Sequence, residues 1–400
     1  MKKCPVCKSV MAAKCFDGGT KPLATLGWPS SSNQAINMTK YPLDYVQCIR
    51  CSHIWNCEFN YQVIPYEDNP NRMFNNGILW QSYMKKVLAR LGKVLPINPT
   101  VIDIGCGEGH FVRELAKIYR SSGRFMGFDP NTSKESGGGI EFISKYFVPK
   151  EDMKLYKPDL LIMRHVLEHL EDPADFLEQL ALASLSIDKP VYFFAETPCV
   201  DLAIESGRIV DFFYEHPSQF TKKSFTKLMK LGGDVKSINT DYGDEVVNGL
   251  VRLSLGDDIV TQFEQTNKFF KHTKKNSKNI SAELEKLSSS EQKVVIWGGT
   301  GKAATFIQHY GLDREKFPYV VDSDPDKFGT FVPGTGQEIR ASSDLQIIPA
   351  DIIIIPTQWR AADIYAEINS KNISYSKIII EYDGQLIDYE RDEHPYKAAT

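Results

Sequence analysis

The sequence predicts an α/β protein of three parts, in which a Rossmann-like core follows a cysteine-rich metal-binding segment and precedes a second Rossmann-like domain. Three observations carry this expectation. Two cysteine pairs, Cys4-Pro5-Val6-Cys7 and Cys48-Ile49-Arg50-Cys51, lie near the amino terminus; Thr100 to Gly109 reads as a strand running into a glycine turn; and Lys293 to Ala304 repeats that pattern. A chain of 400 residues exceeds what one hydrophobic core usually organises. The expected parts are 1–60, 61–255, a helical connector at 256–292, and 293–400.

Composition narrows the class. Hydrophobic residues at 42% and charged residues at 24% are those of an ordinary globular protein. A formal net charge of −4 supplies no overall basic field, which disfavours a nucleic-acid partner and favours a small-molecule substrate. Met1-Lys2-Lys3-Cys4-Pro5 lacks the apolar run of a secretory signal, and no stretch reaches the roughly 20 apolar residues of a membrane span. The expectation is a cytoplasmic protein with no membrane partner.

In the first part, each Cys-x-x-Cys pair lets a tight turn present two sulfurs to one ion. Cys4, Cys7, Cys48 and Cys51 together make a closed S₄ shell suited to structural zinc, with no open position for catalysis. The forty residues between the pairs are tolerable because loop closure costs rise only logarithmically with length. Cys15, Cys57 and His53 are spare donors, and the alternative is redox-active or incidental cysteines.

In the second part, a helix-like stretch near Leu79–Leu95 leads into Val101-Ile102-Asp103-Ile104-Gly105-Cys106-Gly107-Glu108-Gly109 and the helical Phe111–Ala116. Such a turn brings backbone close to a ligand, although it also opens nicotinamide-binding domains, where the spacing is G-x-G-x-x-G. About twenty residues on, Phe125-Met126-Gly127-Phe128-Asp129-Pro130 reads as a second strand ending in an acid. Asp129 is placed to accept from ribose hydroxyls, the alternative being a solvated turn aspartate.

The third landmark is Leu160-Leu161-Ile162-Met163-Arg164-His165-Val166-Leu167-Glu168-His169, followed by Asp172-Pro173. His165 to His169 satisfies the H-x-x-E-H zinc pattern. The buried strand before it and the helix-breaking Asp172-Pro173 after it argue against one helical face, so a catalytic zinc is rejected. A helix at Ala174–Ala183, a strand at Val191–Glu196, a helix at Lys223–Leu231 and strands near Val235–Thr240 and Val246–Leu255 complete the sheet. Ligands of open α/β sheets bind beyond the strands' carboxyl ends, which collects Asp103, Gly105, Asp129, His169, Glu196 and the loop after residue 196 on one rim; Asp103, Gly105, Gly107, Gly109, Asp129 and His165 are the candidate cofactor-binding residues.

The loop after residue 196 carries Tyr214-Glu215-His216 among aromatics, ahead of the helix N-cap Thr221. A neutral imidazole is a competent base near pH 7, so His216 is a candidate for proton abstraction; the alternative is a packed loop histidine. In the last part, a polar, lysine-rich connector has helical patterns at Ile259–Phe270 and Ile280–Leu287. The turn Gly298-Gly299-Thr300-Gly301, with Val320-Val321-Asp322 and Asp351–Ile355 as further strands, opens a second Rossmann-like fold. Its glycines can serve strand-to-helix packing as readily as a cofactor.

The acid and glycines from Asp103 to Gly109 resemble motif I of class I S-adenosylmethionine-dependent methyltransferases, and Val166-Leu167-Glu168-His169 resembles their strand-four motif. Together with the paired cysteines, the Tyr214-Glu215-His216 triplet and the terminal domain, nearly the whole chain resembles the sugar-nucleotide C-methyltransferases. That resemblance implies S-adenosylmethionine and structural Zn²⁺ as cofactors and a nucleotide-linked ketodeoxysugar as substrate. It implies that His216 removes a proton alpha to the ketone to form an enolate, with Tyr214, Glu215, His169 and Tyr66 as its companions. The rival readings are a small-molecule O- or N-methyltransferase and a zinc-ribbon RNA methyltransferase.

Overall fold

The computed structural model describes residues 3–65, 75, 77–119, 122–132 and 139–397. Tyr66 lies outside them. The chain forms two compact units, Met1–Asp257 and Asp258–Thr400.

The first unit begins with strands β1 (Ala12–Lys21), β2 (Tyr41–Cys48) and β3 (Ile54–Asn56). Five strands of the core follow: β4 (Thr100–Ile104), β5 (Arg124–Phe128), β6 (Ile140–Ile143), β7 (Leu160–Arg164) and β8 (Tyr192–Pro198). Then come β9 (Ser218–Gln219), β10 (Gly233–Asp241) and β11 (Val246–Leu253). The main sheet has the order β10-β11-β8-β7-β4-β5-β6, and β11 alone runs against its neighbours. The strands are short apolar runs buried on both faces, as a parallel sheet covered by helices requires. Val101, Phe125, Leu160 and Ile162 pack on one face against the helices Ile78–Leu91 and His110–Ile118. Ile102, Met126, Leu161 and Phe193 fill the other, under Pro173–Ser184 and Lys222–Met229. Strand order reverses beside β4, since the chain moves outward through β5 and β6 and returns to β7 on the opposite side. That is where open α/β sheets bind ligands.

The amino-terminal strands make a small antiparallel sheet of order β1-β2-β3-β9. Its last strand is supplied from more than 160 residues downstream, with Ile54 opposite Gln219 and Trp55 opposite Ser218. Leu26, Leu43, Tyr45 and Phe59 share a core with Val200, Phe212 and Tyr214. Residues 1–60 therefore belong to the same compact unit as the main sheet.

The second unit has β12 (Val294–Trp297), β13 (Tyr319–Asp322), β14 (Ile339–Ala341), β15 (Ile352–Ile355), β16 (Lys377–Tyr382) and β17 (Gln385–Asp388). Their order is β14-β13-β12-β15-β16-β17, parallel except for the terminal β17. The segment expected as a connector is one helix, Asp257–Ser288, whose Ile280 and Leu284 enter this unit's core. The two helical patterns fuse because no proline or glycine interrupts them. Among the described residues no helix is long and apolar enough to cross a membrane.

Candidate active site

The two cysteine turns are near copies. In each, the first cysteine's carbonyl accepts from the amide four residues on, at 2.9 Å for Lys8 and 2.8 Å for Ser52. Both of those residues are left-handed, with φ of +58° and +65°. Cys4 and Cys51 bring their sulfurs to 3.6 Å, and Cys7 and Cys48 to 3.5 Å. Ligands about 2.3 Å from a tetrahedral ion stand about 3.8 Å apart, so this closed thiol set has the spacing to share one metal ion.

At the end of β4, Gly105 and Cys106 both donate to the Phe128 carbonyl, at 2.8 and 3.1 Å, tying the turn to β5. Gly107 donates its amide to Asp129 Oδ2 at 2.9 Å, while Asn131 N donates to Oδ1. Gly107 has φ of +51°, and a side chain there would meet nothing within 4 Å, so the backbone is bare on that side. Gly105 differs: a Cβ would lie 2.4 Å from Val166, so its role is close packing of the turn against the loop after β7. Asp103 is buried beside the turn, and desolvation pushes its carboxyl up to about 7 despite the opposing Arg164.

Across the reversal point, β7 and β8 end in a buried ionic network that motif reading did not reveal. Glu196 is fully buried and accepts from Arg164 Nε and Nη2 at 3.1 and 2.7 Å. Tyr83 donates to its second oxygen. Arg164 also lies over the Phe111 ring, 4.5 Å from its centroid. Burial opposes the charge on Glu196, but Arg164 and His165 hold its carboxyl down at about 2. The available signal was charge at the ends of two apolar strands, Arg164 and Glu196, which a buried sheet admits only as a pair.

His165 turns the chain with φ of +54° and stands between two carboxylates, Glu196 at 3.0 Å and Glu168 at 3.4 Å. Burial disfavours its charge, yet Glu168 and Glu196 push it up to about 9. It cannot share a helical face with His169, which follows on the short 3₁₀ turn Leu167–His169. His169 is buried and its Nδ1 makes a 2.7 Å hydrogen bond with the Glu215 carbonyl, a pairing that assigns Nδ1 as the donor. The rings of His169 and His216 meet edge to face, 4.7 Å between centroids. Burial first, and His169 second, push His216 down to about 3, so its imidazole is neutral at pH 7. Donor atoms of Glu168, His169 and His216 all fall within 4.8 Å of one another.

The structure thus joins Asp103, Gly105, Gly107, Gly109 and Asp129 at the turn, and His165, His169 and His216 around Glu168. The side chains of Tyr214 and Glu215 are engaged elsewhere. Tyr214 stacks on Tyr41 at 4.7 Å and accepts from Asn60 N at 3.0 Å. Glu215 accepts from the amides of Thr25 and Leu26, at 2.7 and 3.1 Å. Tyr45 donates to the carbonyls of Phe213 and His216. The amino-terminal sheet therefore grips the loop on either side of His216.

Residues 79–233 match the family model of a methyltransferase domain, and residues 256–381 match that of a C-methyltransferase C-terminal domain. Among solved structures, a SAM-dependent methyltransferase from Aquifex aeolicus is 15% identical, with 45% of this chain and 100% of that one covered at a TM-score of 0.32. The plantazolicin methyltransferase in complex with SAH is 16% identical, covering 42% and 82% at a TM-score of 0.33. The magnesium protoporphyrin IX methyltransferase of Synechocystis PCC 6803 with bound SAH is 15% identical, covering 44% and 84% at 0.30. No curated protein matches the chain significantly. With a methyltransferase-domain match over the reversal point and its glycine turn, the chain is a methyltransferase whose carboxyl-terminal region matches a C-methyltransferase C-terminal domain.

Proposed function

We propose that the methyl acceptor is a carbon atom of a nucleotide-linked ketodeoxysugar and that His216 is the base that prepares it. The observation that carries this reading is the neutral, half-buried His216 set edge to face against His169. An O- or N-acceptor has lone pairs of its own, whereas a carbon must first lose a proton. The match of residues 256–381 to a C-methyltransferase C-terminal domain supports the same choice of acceptor.

In this reading the bare backbone at Gly107, with Gly105 and Gly109 shaping the turn, admits the cofactor. Asp129 accepts from its ribose, and Asp103 and the His165 network line the adjoining wall. When bound, S-adenosylmethionine supplies an electrophilic methyl group on a sulfonium. His216 takes the proton alpha to the ketone, the C–H electron pair becoming an enolate. His169, with Nδ1 committed to the Glu215 carbonyl, keeps its ring oriented beside that base. Cys4, Cys7, Cys48 and Cys51 hold a structural zinc ion, and Tyr214 and Glu215 position the loop.

The test is His216→Asn. Turnover should fall by about 10²–10⁴-fold with cofactor affinity nearly unchanged. With a nucleotide-linked 4-ketosugar in heavy water, wild type exchanges the alpha hydrogen and the variant does not. Exchange that persists in the variant removes His216 from the mechanism, and methylation at oxygen without exchange removes the carbon acceptor.

A further inference from the structure

We propose that Glu168 is the positioning carboxylate of the base, supplying the fixed negative charge that pairs with the imidazolium formed on His216 when it takes the substrate's proton. This rests on the reading of His216 as base. Glu168 is 1% exposed, and a carboxylate is buried at considerable cost unless its charge is used. Packing alone would be served by glutamine or an aliphatic side chain.

The groups facing Glu168 come from three elements. From its own turn and the residues before it come His169 and His165, the latter at 3.4 Å. From β8, Thr197 Oγ1 donates to Oε2 at 3.0 Å, fixing the carboxylate's rotation. From the loop before β9 comes His216. Glu196 stands behind His165 and is itself taken by Arg164 and Tyr83, so its charge is spent on that side. Of the charges that act on His216, those of His169 and His165 disfavour its protonated form, and that of Glu168 favours it.

The step balances without moving a proton onto Glu168. The substrate C–H bond breaks, an N–H bond forms on His216, and the electron pair remains on the substrate as the enolate. Glu168 stays ionised throughout; what it changes is the cost of a cation in a half-buried site. His165, already flanked by Glu168 and Glu196, secures the carboxylate from the other side.

The experiment compares Glu168→Gln with Glu168→Asp in the full chain. Glutamine keeps an oxygen for Thr197 and so preserves the local fold, which unchanged S-adenosylmethionine affinity by calorimetry confirms. In heavy water with a nucleotide-linked 4-ketosugar, alpha-hydrogen exchange should slow about 10²-fold in the glutamine variant, and aspartate should recover at least about 10-fold of it. Imidazole ¹⁵N NMR without substrate reads the same coupling: loss of the negative charge moves the titration of the His169–His216 pair to lower pH. Wild-type exchange in Glu168→Gln, or equal slowing in both variants, overturns the proposal in favour of a structural glutamate. If wild type itself does not exchange, the carbon-base reading fails instead, and an unmoved imidazole titration then overturns the role of Glu168 separately.

Discussion

The molecule contains two glycine turns of the same design, and they differ in what is left exposed. In the first unit, Asp129 at the end of β5 receives the Gly107 amide at 2.9 Å, and Gly107 faces open space. In the second, Asp322 at the end of β13 receives the Gly299 amide at 3.2 Å, but Lys327 closes on both oxygens of that carboxylate at 3.3 and 3.2 Å. A Cβ on Gly299 would lie 2.4 Å from Ile339 Cδ1, as one on Gly105 would from Val166, while Gly301, like Gly107, meets nothing within 4 Å, so the two turns are packed alike and differ at the acid. A strand, glycine turn and acid thus specify a supersecondary unit, whereas a ligand site also needs an acceptor on which no cation has closed. Among the described residues no cation closes on Asp129, and the first unit adds the cysteine cluster and the buried ionic network.

The largest expected effect comes from removing what only the first unit has. Replacing Cys4 and Cys48 together with serine should abolish hydrogen-exchange protection in β1, β2, β3 and β9 while leaving β12 to β16 protected. Turnover should fall by about 10²-fold or more, because the loop bearing His216 is held by that sheet and small misplacements of catalytic groups are costly. Intact protection and activity would mean that the cysteines do not organise the loop.

A smaller effect separates the two turns directly. Asp129→Ala should weaken S-adenosylmethionine binding by about 1–3 kcal/mol, the cost of leaving buried polar partners unsatisfied. Asp322→Ala should leave that binding unchanged in calorimetry. Equal losses in the two variants would break the comparison.

The smallest expected effect concerns acid and alkali. Glu168 and Glu196 are held down at about 2 in the folded chain, by His165 and by Arg164 respectively, against the opposing effect of burial. The unfolded chain takes up protons near pH 4.5 that the folded one refuses, so this stability is present above about 4.5 and is lost as the pH falls towards 2. His165 is raised to about 9, so its share is present below about 6.5 and is lost as the pH rises through 9. In the second unit the carboxylates held low, Glu367 and Asp313, are not fully buried. Hydrogen exchange followed by mass spectrometry should therefore show β7 and β8 loosening between pH 4.5 and 2 before β12 and β15. The reverse order would deny the network its stabilising role.

Much of the fold was legible because it is written locally. A strand, a glycine turn and a helix occupy about twenty consecutive residues, and each Cys-x-x-Cys closes within five, so Gly105–Gly109, Asp129 and Cys4, Cys7, Cys48 and Cys51 could be named from spacing. The strand at Ile140–Ile143 and the short strand Ser218–Gln219 were not visible, since four and two residues carry no periodicity. Helix Asp257–Ser288 looked like a connector because only Ile280 and Leu284 of its 32 residues are buried.

The sequence by itself determined the glycine turn with its acid, the paired spacing of the four cysteines and the choice of His216 as a candidate base. Only the tertiary structure decided what stands beside that base. His165 meets Glu196 and Glu168 meets Thr197 from the next strand, and Tyr214 and Glu215 turn to Asn60, Thr25 and Leu26, contacts spanning 29 to 190 residues of sequence. Such pairings depend on strand order and on which loop ends share a rim. No local spacing encodes them, because burial selects a charge's partner after the sheet has brought the two together.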